Sequence, residues 1–196
     1  MTTGSRPGAR AQNKARTRAA IRASALDLVS TQGYHETTVA QIAEAAGVSH
    51  TTLFRYFESK EQVLVGDDLD ERRRDMLEQI PPGLGRFDLL RRLVTNLFEI
   101  AGDDPWASDP RRIELLRAEP VLHAAHQFEV DRAIQEMTAF FADYTGTSLD
   151  ALPLRVFIAA ASGVMVHLAE RSGRADEATL SELLAAIDLL EQGLPL

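Results

Sequence analysis

With 196 residues, 45% of them hydrophobic and 26% charged, the chain has the make-up of one folded domain or two small ones sharing a core, which excludes a wholly disordered protein. It has no cysteine, which excludes a disulfide scaffold, a thiol nucleophile and any zinc site built on sulfur ligands. The net charge of −8 is unevenly spread: the first 60 residues carry eight basic groups against four acidic ones, so a basic segment is joined to an acidic body.

The opening run MTTGSRPGARAQNKARTR is basic and polar with no apolar stretch behind it, unlike a secretory signal, and residues 1–14 read as a basic flexible arm. Ile21, Ala25, Leu28 and Val29 then recur at helical spacing and predict a first helix over about 14–31, ending before Gly33. Thr38 and Gln41 have the spacing of a capping box and start a second helix with Val39, Ile42, Ala43 and Ala46 on one face. Gly47 follows as a left-handed C-cap, and Ser49 caps a short third helix through about Tyr56. Ser59 and Gln62 start a fourth helix, with Leu64, Leu69, Met76 and Leu77 among its apolar positions, that runs to the break at Pro81-Pro82-Gly83.

Beyond that break the apolar positions 87, 90, 94, 97, 98 and 101 predict a helix over Phe87–Ala101. Asp109 followed by Pro110 is an N-cap with proline at the first helical position, opening another short helix. Pro120–Tyr144 reads as a long helix, and Asp150–Arg171 is apolar around so much of its circumference that burial on more than one side is expected. A last helix covers about Thr179–Gln192. No useful stretch alternates with a period of two, so the fold is expected to be all-α, with nine or so helices. The longest apolar run, Val156–Ala161, is far short of the ~20 residues of a membrane span, so a soluble, cytoplasmic protein with no membrane partner is expected.

The second and third helices are about two turns each and joined by the glycine turn AAGVS, the layout of a helix-turn-helix. In such a motif the second helix enters the major groove while the first crosses the DNA backbone. Ile42, Ala43, Ala46, Val48 and Leu53 can pack the pair together, leaving Ser49, His50, Thr51, Thr52 and Arg55 as an outward face of short or hydrogen-bonding groups. Tyr56 and Lys60 stand where the chain leaves the groove, suited to phosphates. Double-stranded DNA is the partner this predicts.

Residues 18–64, RAAIRASALDLVSTQGYHETTVAQIAEAAGVSHTTLFRYFESKEQVL, resemble the DNA-binding domain of the TetR family of transcriptional regulators. The resemblance implies a homodimeric, non-enzymatic repressor. It would have an N-terminal three-helix helix-turn-helix domain over residues 15–60 and a helical ligand-binding and dimerisation domain over 61–196. It also implies that Thr38, Tyr56 and Lys60 match phosphate-contacting positions and that Ser49, His50, Thr51, Thr52 and Arg55 lie on the recognition helix. Two departures matter: Thr51 stands where the family often has glycine, and Phe54 where it often has tyrosine, leaving only apolar contact there, for example with a thymine methyl.

Over the rest of the chain the segment RRIELLRAEPVLHAAHQ resembles a branch of the family that responds to fatty acyl-CoA. The large apolar side chains Phe98, Phe128, Met137, Phe157 and Met165 suit an elongated apolar effector, with Arg117, His123 and His126 placed for its polar head group. His123 and His126 also have a spacing compatible with shared metal ligation, but no carboxylate cluster joins them, and no metal or cofactor is expected. An all-helical enzyme or interaction module with an incidental basic N-terminus is the second class. Salt-dependent binding to one palindromic duplex separates the first class from it.

Overall fold

Thr38, Ser49, Ser59 and Asp176 each begin a helix by accepting a hydrogen bond from the backbone N–H three residues on. At Thr38 the cap is reciprocal, because the Thr38 amide donates to Gln41 Oε1 at 2.8 Å. At Ser59 it is not: Gln62 Oε1 accepts instead from the Glu58 amide at 2.6 Å. These caps, with Asp109 Oδ1 accepting from the Arg111 amide at 2.9 Å, account for most of the helix starts legible in the sequence.

The computed structural model describes residues 9–172 and 176–195. Among these, ten helices follow one another: α1 (Ala9–Gln32), α2 (Val39–Ala45), α3 (His50–Tyr56), α4 (Lys60–Val65), α5 (Asp70–Glu78), α6 (Arg86–Gly102), α7 (Pro110–Ala118), α8 (Pro120–Thr145), α9 (Leu152–Ser172) and α10 (Glu177–Glu191). The chain is all-α in its described residues, with no strand.

Two expectations about element boundaries are corrected. The helix expected from residue 14 begins at Ala9, so residues 9–14 of the expected arm are helical; Ala, Arg, Gln and Lys are good helix formers and no glycine or proline interrupts the run from Ala9 to Gln32. The remainder of that arm, residues 1–8, lies outside the described residues. The single fourth helix is two helices, because the chain turns extended at Gly66 (φ −68°, ψ 154°) and Asp67 takes the Leu69 amide on its side chain at 3.1 Å.

The chain divides into two compact units. One contains the residues up to Gly66 together with Glu119–Ala125, and the other contains Asp67–Ala118 and His126 onward. Helix α4 goes with the first unit because it buries Val63, Leu64 and Val65 and packs on α1. In the first unit α1 also packs on α2, and α2 on α3.

In the second unit α10 packs on α6 and α9, around a core that includes Leu89, Leu93, Phe141, Ile158 and Ile187. Tyr144 ties the Pro81-Pro82-Gly83 turn to the end of α8: its hydroxyl donates to the Pro81 carbonyl at 2.5 Å and accepts from the Leu84 amide at 2.8 Å. Within the chain α9 buries only Leu154, Ile158 and Ala161, while Leu152 and Val156 are 67% and 57% exposed. Ser162, Gly163 and His167 interrupt its apolar run only mildly, so by length and composition alone α9, in which an 18-residue window reaches a mean hydropathy of 1.7, is long and apolar enough to cross a membrane.

Candidate nucleic-acid interface

Helix α2 ends in a Schellman motif. The Val48 amide donates to the Ala43 carbonyl at 2.9 Å and the Gly47 amide to that of Glu44 at 3.0 Å, with Gly47 at φ +67°. Only glycine takes that left-handed conformation without strain, and it is what lets α3 start three residues later at an angle to α2. Ile42, Ala43 and Leu53 are buried between the helices, as their spacing predicts.

On α3 the side chains of Ser49, His50, Thr51, Phe54 and Arg55 are exposed, and Thr52 is half-buried. Ser49 Oγ accepts the Thr52 amide at 3.0 Å and shares a 2.8 Å hydrogen bond with Thr52 Oγ1, so these two hydroxyls hold each other and the helix start. His50 and Phe54 meet edge to face, with ring centroids 4.7 Å apart. The Phe54 ring, 44% exposed, offers an apolar edge where a tyrosine would offer a hydroxyl. The Arg55 guanidinium lies 5.2 Å from the Tyr56 ring centroid.

The end of α3 is held from α1. Arg18 Nη1 donates to the Tyr56 carbonyl at 2.8 Å, a cation against the negative end of the helix, and its guanidinium stacks 4.4 Å from the Phe57 ring centroid. Arg22, buried at 4% exposure, lies 5.5 Å from the same centroid. Sequence reasoning counted these arginines only as part of a basic patch; their i, i+4 spacing on α1 was the available signal that they share a face.

Thr38 is exposed at the start of α2, and its hydroxyl is bonded to Gln41. Lys60 is half-buried, and its Nζ donates at 2.8 Å to both the Tyr34 and the Thr37 carbonyls while lying 3.7 Å from the Tyr34 ring centroid. Beside it the Tyr34 hydroxyl donates to the Glu61 carboxylate. Burial and the Glu61 carboxylate push the Tyr34 hydroxyl well above its ordinary range; burial raises Glu61 as well, but the hydrogen bonds it accepts from Tyr34, its own amide and Ser59, with the Lys60 charge, together outweigh burial and hold that carboxyl low. Tyr34 and Glu61 were not anticipated as part of the site.

The residues expected to meet an effector line neither of the two clefts described below. Met137, Phe157 and Met165 are half-buried against the core of the second unit, and Phe98 is half-buried on α6. Phe128, expected as a cavity wall, is 76% exposed, because its position on α8 faces away from that core. Arg117 is exposed and pairs with Glu114 at 3.8 Å. His123 is half-buried within the first unit, and His126 half-buried within the second.

Two clefts in the second unit are lined differently. One of about 390 Å³ runs beside α5 and α6, with Arg72, Asp75, Gln79, Asn96 and Glu99 in its wall. The other, about 470 Å³, lies beside α6 and α10, with Arg91, Arg92, Asp88 and Asp188. Among the described residues no group of three or more histidines and carboxylates stands placed to hold a metal ion.

Comparison with known proteins agrees with this geometry. Residues 21–65 match the family described as bacterial regulatory proteins, tetR family, and residues 84–195 match the MftR C-terminal domain. The HTH-type transcriptional regulator TcmR of Streptomyces glaucescens is 44% identical over 79 residues, which are 39% of this chain and 35% of TcmR. The HTH-type transcriptional regulator RutR of Escherichia coli (strain K12) is 30% identical over 145 residues, 73% of this chain and 66% of RutR. The chain thus spans about a third and just under two thirds of these relatives. Both are transcriptional regulators, which favours the DNA-binding class over an all-helical enzyme. In fold, the chain is similar to the transcriptional regulator FadR from Bacillus subtilis, solved in complex with stearoyl-CoA: TM-score 0.55, 16% identity, covering 90% of this chain and 99% of FadR.

Proposed function

The chain belongs to the TetR family of bacterial regulatory proteins, and from that membership we propose that it is a DNA-binding transcriptional repressor, a homodimer on a palindromic operator that is released by a small apolar effector such as a fatty acyl-CoA. The observation that carries this reading is α3. It is a short helix set by a glycine turn against α2, with His50, Thr51 and Arg55 on its outer face and its far end anchored by Arg18. That is a rigid rod of hydrogen-bonding groups of the size a major groove admits.

In this reading Ser49, His50, Thr51, Thr52 and Arg55 reach base edges. Arg55 suits the paired acceptors of a guanine, and Phe54 a thymine methyl. Thr38 and Tyr56 stand beside them for phosphates, which fix register without reading sequence. A palindrome requires a two-fold dimer whose recognition helices are about 34–36 Å apart, or a multiple of that. The exposed stripe on α9, from Leu152 through Val156 to Ala160 and Gly163, supports such a pairing, because a monomer would leave that face in water.

The effector acts on the second unit through its differential affinity for the DNA-bound and released arrangements. Phe98, Met137, Phe157 and Met165 supply adaptable apolar groups around the acyl chain, and Arg117 and His126 suit its charged head. The fold shared with a FadR solved on stearoyl-CoA is the support for that ligand class.

Selection from a random duplex library tests the whole reading. The wild-type chain is expected to enrich one palindromic sequence and to release it when stearoyl-CoA is added. Enrichment of no sequence would overturn the DNA-binding reading. Enrichment without release by any acyl-CoA would remove the ligand class alone.

A further inference from the structure

We infer that the outer end of α1 is a second DNA-binding surface, on which Arg10 and Lys14 hold phosphates beyond those met around α3. The inference rests on the reading that α3 binds DNA. Arg10, Lys14, Arg18 and Arg22 recur every fourth residue, so they follow one another a turn apart along one side of α1. The inner two are already engaged at the end of α3. Arg18 Nη1 donates to the Tyr56 carbonyl at 2.8 Å, and the Arg18 and Arg22 guanidinium groups lie 4.4 Å and 5.5 Å from the Phe57 ring centroid. By the helical rise, Lys14 stands about 6 Å and Arg10 about 12 Å further along the axis than Arg18.

There the helix has left the body of its unit. Arg10, Gln12, Asn13, Lys14, Ala15 and Arg16 are all exposed. No Asp or Glu occurs between Ala9 and Leu26, and among the described residues neither Arg10 nor Lys14 meets a carboxylate. In the second unit, by contrast, Arg73, Arg91, Arg111 and Arg132 pair with carboxylates at 2.6–2.9 Å. Two unmatched cations a turn apart repel each other and call for an external anion with closely spaced charges. Duplex DNA is that anion. It carries one charge per about 1.7 Å of its axis, so cations about 6 Å apart find phosphates whatever the sequence.

The helical state of residues 9–14 gives this surface its register. A flexible arm would lose conformational freedom on binding, whereas α1 already holds Arg10 and Lys14 in line with Arg18, and so with the end of α3. Arg16 is also exposed but falls on the opposite side of the helix, outside the contact.

The test measures Kd across a range of salt for the wild type, the double variant Arg10→Gln with Lys14→Gln, and Arg16→Gln. Each is titrated on the duplex selected by the wild type and on a random-sequence duplex of equal length. Glutamine keeps the helix propensity and removes the charge. In the double variant the slope of log Kd against log salt should fall by about two per chain, because two phosphate contacts are lost. Affinity should fall by similar factors on both duplexes, because phosphates carry no sequence information. Arg16→Gln should keep a slope close to that of the wild type.

An unchanged slope in the double variant would overturn the inference; accompanied by a lowered melting temperature, it would assign the two cations to a contact within the protein. The same change per charge in Arg16→Gln would reduce the surface to diffuse attraction and overturn it as well. So would a loss confined to the selected duplex, which would make these residues readers of bases. A wild type that binds neither duplex would overturn the DNA-binding reading itself, whereas a wild type that binds both and is matched by the double variant overturns this inference alone.

Discussion

Asp67 is where the chain leaves α4 and turns toward α5, and its carboxylate organises that change. It accepts from Arg73 Nη2 at 2.6 Å and Nη1 at 2.9 Å, and from the Leu69 amide at 3.1 Å. Burial raises the Asp67 carboxyl, but the Arg73 guanidinium, the Leu69 amide and the charge of Arg112 together outweigh it and hold the group below the ordinary carboxylate range. A depressed folded-state pKa means that the stabilisation is fully present above the unfolded value, near 4, and is lost as pH falls through the folded value. Replacing Asp67 by Asn should therefore lower stability at neutral pH by about 1–2 kcal/mol, discounted for the partly exposed Arg73. The variant should also show a flatter loss of stability below pH 4, and chemical denaturation at pH 7 and pH 3 measures both. Equal losses at the two pH values would detach the effect from the ion pair.

At the scale of elements, the stripe on α9 and the outer face of α10 carry the strongest expectation. Leu152, Val156 and Leu189 are large apolar side chains at 67%, 57% and 47% exposure. A two-fold axis running past α9 and α10 would bury them against their symmetry mates as a four-helix contact. Val156→Asp and Leu189→Asp should each yield monomers in sedimentation with the helix content unchanged, since neither side chain lies in the core of the chain. An intact dimer in both variants would place the interface elsewhere. Val164 and Leu184 are poorer probes, because both are half-buried and Leu184 packs against the core.

What was legible in the sequence at this scale followed local chemistry. Thr38, Ser49, Asp109 and Gly47 announced element ends because caps and left-handed turns depend on one or two residues. The break at Gly66 was not legible. Leu69 and Met76 continue a helical spacing from α4, and the feature that opposes it, Asp67 bonding to Arg73, is an interaction across a turn that periodicity does not record. The outward direction of Phe128 was hidden for a related reason. Helix α8 has no strong apolar stripe, so nothing in its own pattern says which aromatic faces the core. In the candidate site, the outer face of α3 could be read from the motif. The double engagement of Lys60 could not, because it depends on the backbone path of a turn.

For the molecule as a whole, a basic segment of 60 residues on an acidic body becomes a division of labour. One unit presents α3, braced from α1 by Arg18 and from α4 by Lys60. The other carries an apolar core, an exposed α9 stripe and an ion network in which Arg91 joins Asp188 and Glu191 of α10. The central claim is that the first unit reads DNA, and equilibrium binding to the selected duplex across a range of salt tests it most directly. The account predicts a Kd of roughly 10⁻⁸ M or tighter at physiological salt, two chains per duplex, and at least ~10³-fold weaker binding to a scrambled duplex. It also predicts that affinity falls steeply and linearly with log salt, as counterions are released from several phosphates. Micromolar binding that does not distinguish the scrambled duplex would contradict it.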